Sequence, residues 1–435
     1  MENGRIFFMP DIARTPLHAE HVALKARMVP FAGWEMPLLY RGIIAEHLYT
    51  RKKASVFDIC HMGEFELGGP TAEADLERLL TQSVSSIPEG GCAYGYLLAD
   101  DGGVKDDLIC YRFGGLTAGR FGREAPRGKP RGNFAEPSEA KNTAKEGESF
   151  WLVVNASTAA ADAQWIKSHL SSGTIFRDLS SATAKLDIQG PRAREEMEGA
   201  LKIKLPDLEY YHFQRLTIDG IACVLSRTGY TGEFGYELYL PVGAAADFWK
   251  KLLAPGKILP AGLGARDTLR VEMGFPLYGH ELTEKLTPAG VARGKKFIDL
   301  NKSFIGKEAV LRAREDQAAG QLVGLRLEGR MAARPGDEVF EGERKVGKIT
   351  SGLFAPSLNV AVALGYVERQ LAFSGQKLGV RSRGKNLMVE IVELPFYKQG
   401  TARHGGPGGK FEARLPVPTA RVGQGNPKFE TNPND

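Results

Sequence analysis

Cysteine is scarce in this sequence of 435 residues, and its spacing excludes the common cysteine-based scaffolds. No CxxC pair occurs among the four cysteines, which are Cys60, Cys92, Cys110 and Cys223. Such scattered spacing argues against a disulfide framework and against a structural zinc site. The pattern favours a protein of a reducing compartment.

Long apolar runs are absent too. No segment approaches the roughly 18 consecutive apolar residues that indicate a membrane span. The apolar run near the N-terminus covers only residues 6–10, whereas a signal-peptide core needs about 7–15 residues. Because Glu2 and Asp11 also argue against a transit peptide, we expect a cytoplasmic protein that is not associated with a membrane.

Several common catalytic motifs are missing. The sequence contains no GxxxxGK(S/T) phosphate loop, no HExxH helix and no GxSxG nucleophile elbow. The eight histidines offer no third ligand at useful spacing, so no metal site is expected. The glycines of TGYTGEFGYE recur at every third residue and do not match the GxGxxG dinucleotide fingerprint.

What is present is an ordinary globular composition with an excess of glycine. Hydrophobic residues make up 43% and charged residues 25%, and the 52 glycines indicate many turns and close backbone approaches. The net charge is +5, but residues 114–149 contribute +2 (seven basic, five acidic) and residues 398–435 contribute +3 (six basic, three acidic). Since the rest of the chain is balanced, the basic charge does not indicate a nucleic-acid partner.

The distribution of apolar and turn residues predicts how the chain is organised. Residues 1–317 mix helical and strand patterns, and residues 318–397 consist of short alternating segments that predict a small all-β barrel. Residues 398–435 are rich in glycine, proline and asparagine and predict a disordered tail. Residues 114–149 contain seven glycines, three prolines and twelve charges, so we expect a flexible insertion there.

A predicted hairpin carries the first candidate site residue. Two strands in YGYLLADDGGVKDDLICYRF flank a turn at residues 100–103, and alternation places Asp107 on one face with Ile109 and Tyr111. A carboxylate beside an aromatic ring can hold a flat, nitrogen-rich heterocycle. From the pattern alone, Asp107 can equally cap a turn or face the solvent.

Two more side chains have the chemistry to bind such a ring. Glu237 follows the GYTGE turn on the second strand of its hairpin, where a carboxylate can accept two parallel N–H bonds. Arg266 opens a helix after PAGLG, and its guanidinium can hold a carbonyl or carboxylate in a bidentate manner. The alternatives are an exposed strand glutamate and a helix-surface ion pair between Arg266 and Asp267.

Several segments in combination resemble the aminomethyltransferases of the glycine cleavage system, the T-protein family. They occur in order from about residue 15 to residue 397, with GYTGE the most distinctive: TPLHAEHVALKARMVPFAGWEMP, FDICHMGEF, GGVKDDLICYR, VVNAS, IQGP, SRTGYTGEFGYE, PAGLGARDTLRVEMGFPLYGHEL, FIGKEA and ITSGLFAPSL. The resemblance implies an α+β fold, a three-domain cloverleaf around a central folate channel. Two interleaved α+β domains would occupy residues 1–317, and the third would be the C-terminal all-β barrel domain.

The resemblance also implies an activity and its partners. The family takes an aminomethyl group from the lipoyl arm of H-protein and transfers it to tetrahydrofolate, a co-substrate. Ammonia is released, and 5,10-methylenetetrahydrofolate and dihydrolipoyl H-protein are formed. The expected partners are therefore lipoylated H-protein and tetrahydrofolate, with no metal, nucleic acid or membrane.

Residue roles follow by position in the matching motifs. Asp107, the second aspartate of DDL, matches the family's essential aspartate, which we expect to orient folate and stabilise positive charge near its reacting nitrogens. Glu237 matches the pterin-binding glutamate and Arg266 the folate-contacting arginine. The remaining expected folate-binding residues are aromatic or apolar: Met62, Tyr94, Tyr111, Val153, Tyr210, Tyr211 and Tyr230.

Departures from the family pattern and rival functions remain open at this point. The insertion and the longer tail are departures, and Phe275 stands where a tyrosine is often found. One rival is a folate-dependent demethylase acting on another small one-carbon donor, because it would share the folate pocket. A second is a non-catalytic folate-binding scaffold, whose KGCYxGQE signature is not matched by FIGKEA at residues 304–309.

Overall fold

The computed structural model describes residues 12–114, 148–291, 297–316 and 320–403. In this part of the chain the strands form a three-stranded, a five-stranded and a six-stranded sheet and a closed barrel. The strands are β1 (Ala13–Arg14), β2 (Arg27–Phe31), β3 (Trp34–Leu39), β4 (Ala54–Asp58), β5 (Gly63–Gly68), β6 (Cys92–Leu98), β7 (Val104–Phe113), β8 (Ser149–Val154), β9 (Ile175–Asp178), β10 (Thr183–Gln189), β11 (Phe213–Ile218), β12 (Ile221–Ser226), β13 (Gly235–Pro241), β14 (Ile258–Pro260), β15 (Gly320–Leu327), β16 (Glu338–Glu341), β17 (Arg344–Ala355), β18 (Val360–Glu368), β19 (Lys377–Ser382) and β20 (Lys385–Val392). The helices are α1 (His18–Ala23), α2 (Ile43–Lys52), α3 (Ala72–Leu79), α4 (Ala159–Ser168), α5 (Ala193–Leu201), α6 (Ala245–Leu253), α7 (Leu263–Glu272) and α8 (Lys307–Glu315).

The six-stranded sheet, in the order β11-β12-β13-β10-β4-β14, has one apolar and one polar face. Along β10, Leu186 and Ile188 lie in a buried core with side chains of α5 and α6. Lys185 and Asp187 alternate with them and therefore point to the opposite face. Because Asp187 pairs in register with Glu237 of β13, the polar residues form a row across neighbouring strands.

The five-stranded sheet, in the order β6-β7-β8-β5-β9, contains the predicted hairpin as β6 and β7. Leu108 and Cys110 of β7 lie in a core with residues of α3 and α4. Tyr111 and Phe113 lie on the other face, in a cluster that also includes Tyr239 of the six-stranded sheet. The alternation predicted for β7 is therefore confirmed, and its aromatic face meets the polar face of the neighbouring sheet.

The C-terminal strands close into a barrel in the order β15-β18-β17-β16-β19-β20. Small and branched side chains such as Leu325, Val339, Ala363 and Val380 form its buried interior. The elements before β15 are helices and sheets, and the elements from β15 onward form this barrel. The predicted α+β class with a C-terminal all-β barrel is therefore confirmed. The division of the chain at residue 317 stays a prediction.

The beginning of the predicted tail is held by hydrogen bonds. Thr401 donates its hydroxyl to Glu233 at 2.5 Å and accepts the backbone N–H of Phe234 at 2.8 Å. The backbone N–H of Ala402 donates to the carbonyl of Gly232 at 3.0 Å. These contacts attach residues 401 and 402 to the GYTGE turn. The disordered tail at residues 398–435 stays a prediction, and residues 404–435 lie outside the described part. None of the helices in the described ranges has the length and apolar character that a bilayer crossing requires.

Most of the predicted insertion, residues 115–147, lies outside the described residues, but the strands on either side of it are paired. Phe113 of β7 lies opposite Ser149 of β8. Arg112 donates two hydrogen bonds to the Glu148 carboxylate, at 2.9 and 2.8 Å. A few residues can close this hairpin, because short loops connect adjacent antiparallel strands.

A deletion tests whether the insertion takes part in binding. Removing residues 118–146 should leave the dissociation constant for tetrahydrofolate within about threefold of the full-length value. The residues that remain are enough to connect β7 and β8, so the pairing of these strands should be kept. Isothermal titration of both proteins with tetrahydrofolate measures this. A loss of affinity well beyond threefold in a folded deletion variant would mean that the segment contributes to the site.

Candidate functional site

The predicted apolar site residues meet between the five-stranded and the six-stranded sheet. Met62, Tyr111, Val153 and Tyr211 belong to or pack against one apolar cluster. The Tyr111 ring meets the Tyr239 ring edge to face, with centroids 5.9 Å apart. This cluster forms an aromatic wall beside the charged residues described next.

Asp107 is partly buried at this wall, and two side chains fix its carboxylate. The Tyr94 hydroxyl donates to Oδ2 at 2.8 Å, and the Asn155 amide donates to Oδ1 at 3.0 Å. Burial, with the negative charge of Asp106 in second place, raises the pKa of Asp107 to about 7, although the two hydrogen bonds oppose the shift. A carboxylate with such a pKa can exchange a proton or respond to a positive charge near neutral pH.

Two more carboxyl groups lie behind Asp107. Asp106 is fully buried and accepts from Asn155 twice, from the backbone N–H at 2.9 Å and from the side-chain amide at 2.7 Å. Asp162 of α4 is also buried, and its carboxyl group lies near enough to Asp106 for each to affect the pKa of the other. Burial raises the pKa of both groups, so this pair does not lose both protons in the neutral range.

Glu237 lies on the polar face of β13 and is only 7% exposed, so the alternative of an exposed strand glutamate is wrong. Its Oε2 accepts from the Thr228 hydroxyl at 2.6 Å and from the Tyr239 hydroxyl at 3.2 Å. Tyr239 in turn lies 3.0 Å, oxygen to oxygen, from the Tyr111 hydroxyl. This network of hydroxyl groups orients the glutamate.

Arg266 begins the second turn of α7, and its ion pair is not the one that the sequence offers as an alternative. Its Nη1 donates to Oδ2 of Asp187 at 2.7 Å, whereas Asp267 accepts from Arg270. The guanidinium lies over the Tyr230 ring, 4.9 Å from its centroid. Arg266 is thereby held between a buried carboxylate and an aromatic face, which leaves its remaining donors for another acceptor.

The GYTGE turn places Tyr230 by glycine-dependent geometry. Gly232 has φ +78°, and a Cβ there would lie 2.4 Å from the sulfur of Met273. Tyr230 stacks on Phe275 with centroids 5.7 Å apart and donates its hydroxyl to the carbonyl of Pro276. Phe275 thus supplies a ring surface at the position where the family pattern often has a tyrosine.

Tyr210 lies at the edge of this region. It meets Tyr211 edge to face at 4.8 Å, and Arg227 lies over its ring at 5.8 Å. The backbone of Tyr211 is fixed on both sides, since its carbonyl accepts from Cys92 at 2.9 Å and its N–H donates to Arg227 at 3.1 Å. Tyr211 therefore packs against the aromatic wall, and Tyr210 lies beside Tyr211 at the edge of that wall.

Four residues of this region were not predicted as site residues from the sequence. They are Asn155, Asp187, Tyr239 and Lys185, which donates to Glu64 and to the Met62 carbonyl. Tyr239 could have been found, because it lies two residues after Glu237 on the same strand face. The others depend on strand pairing that local patterns do not specify. Among the described residues no group of three or more His, Cys, Asp or Glu side chains could hold a metal ion.

Two family descriptions match the chain. Residues 17–117 and 142–302 match the GCVT N-terminal domain, and residues 321–398 match the glycine cleavage T-protein C-terminal barrel domain. The first match leaves out residues 118–141, which lie inside the segment predicted as an insertion. The two matches together include all ten predicted site residues.

Relatives with curated names are similar over most of the chain. The aminomethyltransferase of Desulforamulus reducens is 39% identical over 397 residues, covering 90% of this chain and 100% of the relative. That of Moorella thermoacetica is 39% identical over 398 residues, covering 90% and 99%. A crystal structure of the glycine cleavage system aminomethyltransferase T from Bartonella henselae aligns with a TM-score of 0.78 at 30% identity, covering 90% of this chain and 99% of the other.

Proposed function

The chain belongs to the glycine cleavage T-protein family, so it is an aminomethyltransferase, and we propose that its acceptor is tetrahydrofolate bound between the two sheets. The observation that carries the proposal is the combination of Glu237, Arg266 and Asp107 around one aromatic wall. A pterin is flat, has an amidine-like edge of N–H donors and carries a carbonyl. Glu237 fits the donor edge and Arg266 fits the carbonyl.

The donor in this proposal is the aminomethyl group on the lipoyl arm of H-protein. Cleavage of the carbon–sulfur bond leaves a thiolate and an iminium carbon, which N5 of tetrahydrofolate attacks. Ammonia then leaves that carbon and N10 closes the ring, while the protons lost from N5 and N10 end on ammonia and on the lipoyl thiol. The products are 5,10-methylenetetrahydrofolate, ammonia and dihydrolipoyl H-protein.

Asp107 is the proposed catalytic residue in this scheme. Positive charge develops on the transferred carbon and its nitrogens, and a fixed carboxylate beside it lowers the energy of that state. Tyr94 and Asn155 hold the carboxylate in place before the substrate arrives, so little reorganisation is needed. Met62, Val153 and the tyrosines of the wall exclude water, which would otherwise capture the iminium carbon.

The rival functions are not favoured by the comparisons. The relatives that cover nearly the whole chain carry the name aminomethyltransferase, and the aligned structure is a glycine cleavage enzyme. A demethylase would need a different one-carbon donor, and a non-catalytic scaffold would need no donor. We keep a cytoplasmic location as part of the proposal, and fractionation of cells that express the chain would test it.

Ammonia release tests the proposal directly. The purified protein is mixed with aminomethyl-loaded H-protein, with and without tetrahydrofolate, and ammonia is measured over time. We expect release that depends on tetrahydrofolate and on the protein, with a rise of about 100-fold or more over the sample without protein. Release that is unaffected by omitting tetrahydrofolate would contradict the proposed acceptor.

A further inference from the structure

A lysine of the six-stranded sheet forms an ion pair with a glutamate of the five-stranded sheet, beside the proposed folate site. The two residues are Lys185 of β10 and Glu64 of β5, and neither side chain is exposed. Lys185 lies directly opposite Tyr239 on β13, and its ammonium also donates to the backbone carbonyl of Met62. Glu64 lies directly opposite Val153 on β8. Since Tyr239 and Val153 both belong to the apolar cluster of the aromatic wall, the ion pair joins the two sheets at that wall.

The same lysine holds the segment that crosses from one sheet to the other. Residues 59–62 connect β4 of the six-stranded sheet to β5 of the five-stranded sheet, and this link ends in Met62. The backbone carbonyl of Lys185 accepts from the N–H of Ile59 and from the thiol of Cys60, each at 3.3 Å. Because its ammonium binds the Met62 carbonyl, Lys185 contacts the link at both ends. Met62 packs against the aromatic wall and against a second apolar cluster that includes residues of α7, so a displaced link would change both surfaces.

The contacts of this ion pair explain position better than stability. Two well-packed apolar side chains often stabilise a fold as much as a buried ion pair does, because buried ions lose their hydration. They cannot donate a hydrogen bond to the Met62 carbonyl, as the Lys185 ammonium does. We infer that Lys185 and Glu64 are a positioning pair, which fixes the 59–62 link and thereby the place of Met62 at the wall that binds the acceptor.

Glu64 depends on Lys185 for compensation of its charge. Its Oε1 accepts from the Lys185 ammonium, and its Oε2 has no hydrogen-bond partner in the described part of the chain. Burial raises the pKa of Glu64 to about 7 against the opposing charge of Lys185. At about pH 8 the carboxylate is therefore ionised and the pair is complete, so the experiments below are set at that pH.

Methyl NMR of the methionines tests the position of Met62 without relying on activity. Combining Lys185→Leu with Glu64→Leu removes the ion pair and the donor to the Met62 carbonyl but keeps a similar side-chain volume. The Met62 methyl signal, assigned by its loss in Met62→Leu, should shift in this double variant, since the neighbouring aromatic rings affect it according to distance. The matched control combines Lys345→Leu with Glu338→Leu, which removes a barrel pair at 2.5 Å whose side chains are 57% and 46% exposed, and the signal should stay unchanged. An unshifted signal in the first double variant would overturn the inference.

Tetrahydrofolate binding tests the consequence for the site, and this part rests on the proposed function. In the Lys185→Leu, Glu64→Leu variant the dissociation constant, measured by isothermal titration, should rise about tenfold or more, the effect of losing one hydrogen bond from a charged donor. Glu64→Gln keeps an acceptor for Lys185, and with it the bond to the Met62 carbonyl, so its dissociation constant should stay within about threefold of the unaltered value.

Two results would contradict the inference. One is unchanged binding by the folded double leucine variant, since a pair that acts only on stability lowers the melting temperature and leaves the dissociation constant as it was. The other is an equal loss of affinity in Glu64→Gln, which keeps the positioning contacts. If the unaltered protein bound no tetrahydrofolate, the proposed acceptor would be contradicted instead, and the Met62 signal would still decide whether the pair positions the link.

Discussion

Replacing Asp107 with asparagine is expected to reduce turnover about 100- to 1,000-fold while the fold stays intact, the range for removing one transition-state stabiliser. Asparagine has nearly the same shape, so Tyr94 and Asn155, at 2.8 and 3.0 Å from the carboxylate, keep their positions. What is lost is the negative charge beside the cationic carbon–nitrogen centre. The measurement is kcat for ammonia release at saturating tetrahydrofolate and aminomethyl-loaded H-protein.

The same carboxyl group determines the expected pH dependence of the unaltered protein. Burial and the charge of Asp106 raise the pKa of Asp107 to about 7. As the pH falls through that value, Asp107 takes up a proton and can no longer stabilise a positive charge. kcat/KM should therefore decrease on the acidic side of about pH 7, and this limb should be missing from the residual activity of Asp107→Asn.

Stability supplies the control for the Asp107 variant. The pKa of Asp107 in the folded protein is above the value of about 3.9 for an unfolded aspartate, so the folded state binds the proton more tightly. Ionising this group therefore costs stability as the pH rises between those two values. Asparagine removes that cost, and the melting temperature of the variant at about pH 8 should be no lower than that of the unaltered protein. A folded variant with an unchanged rate would exclude Asp107 from catalysis.

Local pattern was sufficient to predict the elements that carry the site. The β6–β7 hairpin and the alternation that places Asp107 with Tyr111 depend on a turn at residues 100–103 and on a period of two. The barrel was predictable for the same reason, because its strands are short, alternating and separated by turns. Each of these signals lies within about twenty residues of sequence.

Partners that come from distant segments could not be predicted in this way. The sequence suggests an ion pair between Arg266 and its neighbour Asp267. In the fold, Arg266 instead donates to the carboxylate of Asp187, 79 residues away, at 2.7 Å. Asn155 lies 48 residues from Asp107, and only the pairing of β7 with β8 places them together. The resemblance to a known family assigned Asp107, Glu237 and Arg266 by motif, but it did not contain the hydrogen bonds that orient them. Their roles in binding and catalysis stay predictions until the variants are measured.

The start of the C-terminal segment, residues 398–435, is a second case in which local sequence does not reveal the contacts. Composition predicts disorder from residue 398, because glycine and polar residues offer little apolar surface to bury. In the structure, Thr401 hydrogen-bonds to Glu233 of the GYTGE turn, and Tyr397 lies under the guanidinium of Arg51 at 4.1 Å. Composition therefore does not predict these contacts at the start of the segment, because they depend on partners in distant parts of the chain.

Arg51 of α2 is at the centre of that arrangement. Its Nη1 donates to Glu233 at 2.8 Å, and its Nη2 donates to Glu272 of α7 at 3.0 Å. Nη1 also donates to the Thr231 carbonyl at 2.7 Å. The side chains of Arg51, Glu233 and Glu272 are at most 3% exposed, so one buried arginine compensates two buried carboxylates and joins α2, α7 and the GYTGE turn.

Replacing Arg51 with methionine is therefore expected to lower the free energy of unfolding by about 3–5 kcal/mol, the usual effect of removing one partner of a buried ion pair. Methionine keeps much of the volume of the side chain, so the loss reflects the two carboxylates that remain buried without their arginine. Urea denaturation followed by fluorescence measures the change. The matched control is Arg344→Met, because this arginine also pairs with two glutamates, Glu341 and Glu368, but its side chain is 49% exposed. Its loss should lower the free energy of unfolding far less than the loss of Arg51, since solvent screens exposed ion pairs.

A second substitution separates buried charge from lost packing. Combining Arg51→Met with Glu233→Gln leaves one of the two carboxylates neutral, so the double variant should be more stable than Arg51→Met alone. Glu233→Gln by itself should be destabilising, because Arg51 and Thr401 both bind that carboxylate. If Arg51→Met costs no more than the exposed control, or if the glutamine gives no recovery, then apolar packing and not charge compensation holds the GYTGE turn against α2 and α7. Because Tyr230 lies in this turn and Glu237 follows it on β13, the same variants should also weaken tetrahydrofolate binding in proportion to the loss of order at the turn.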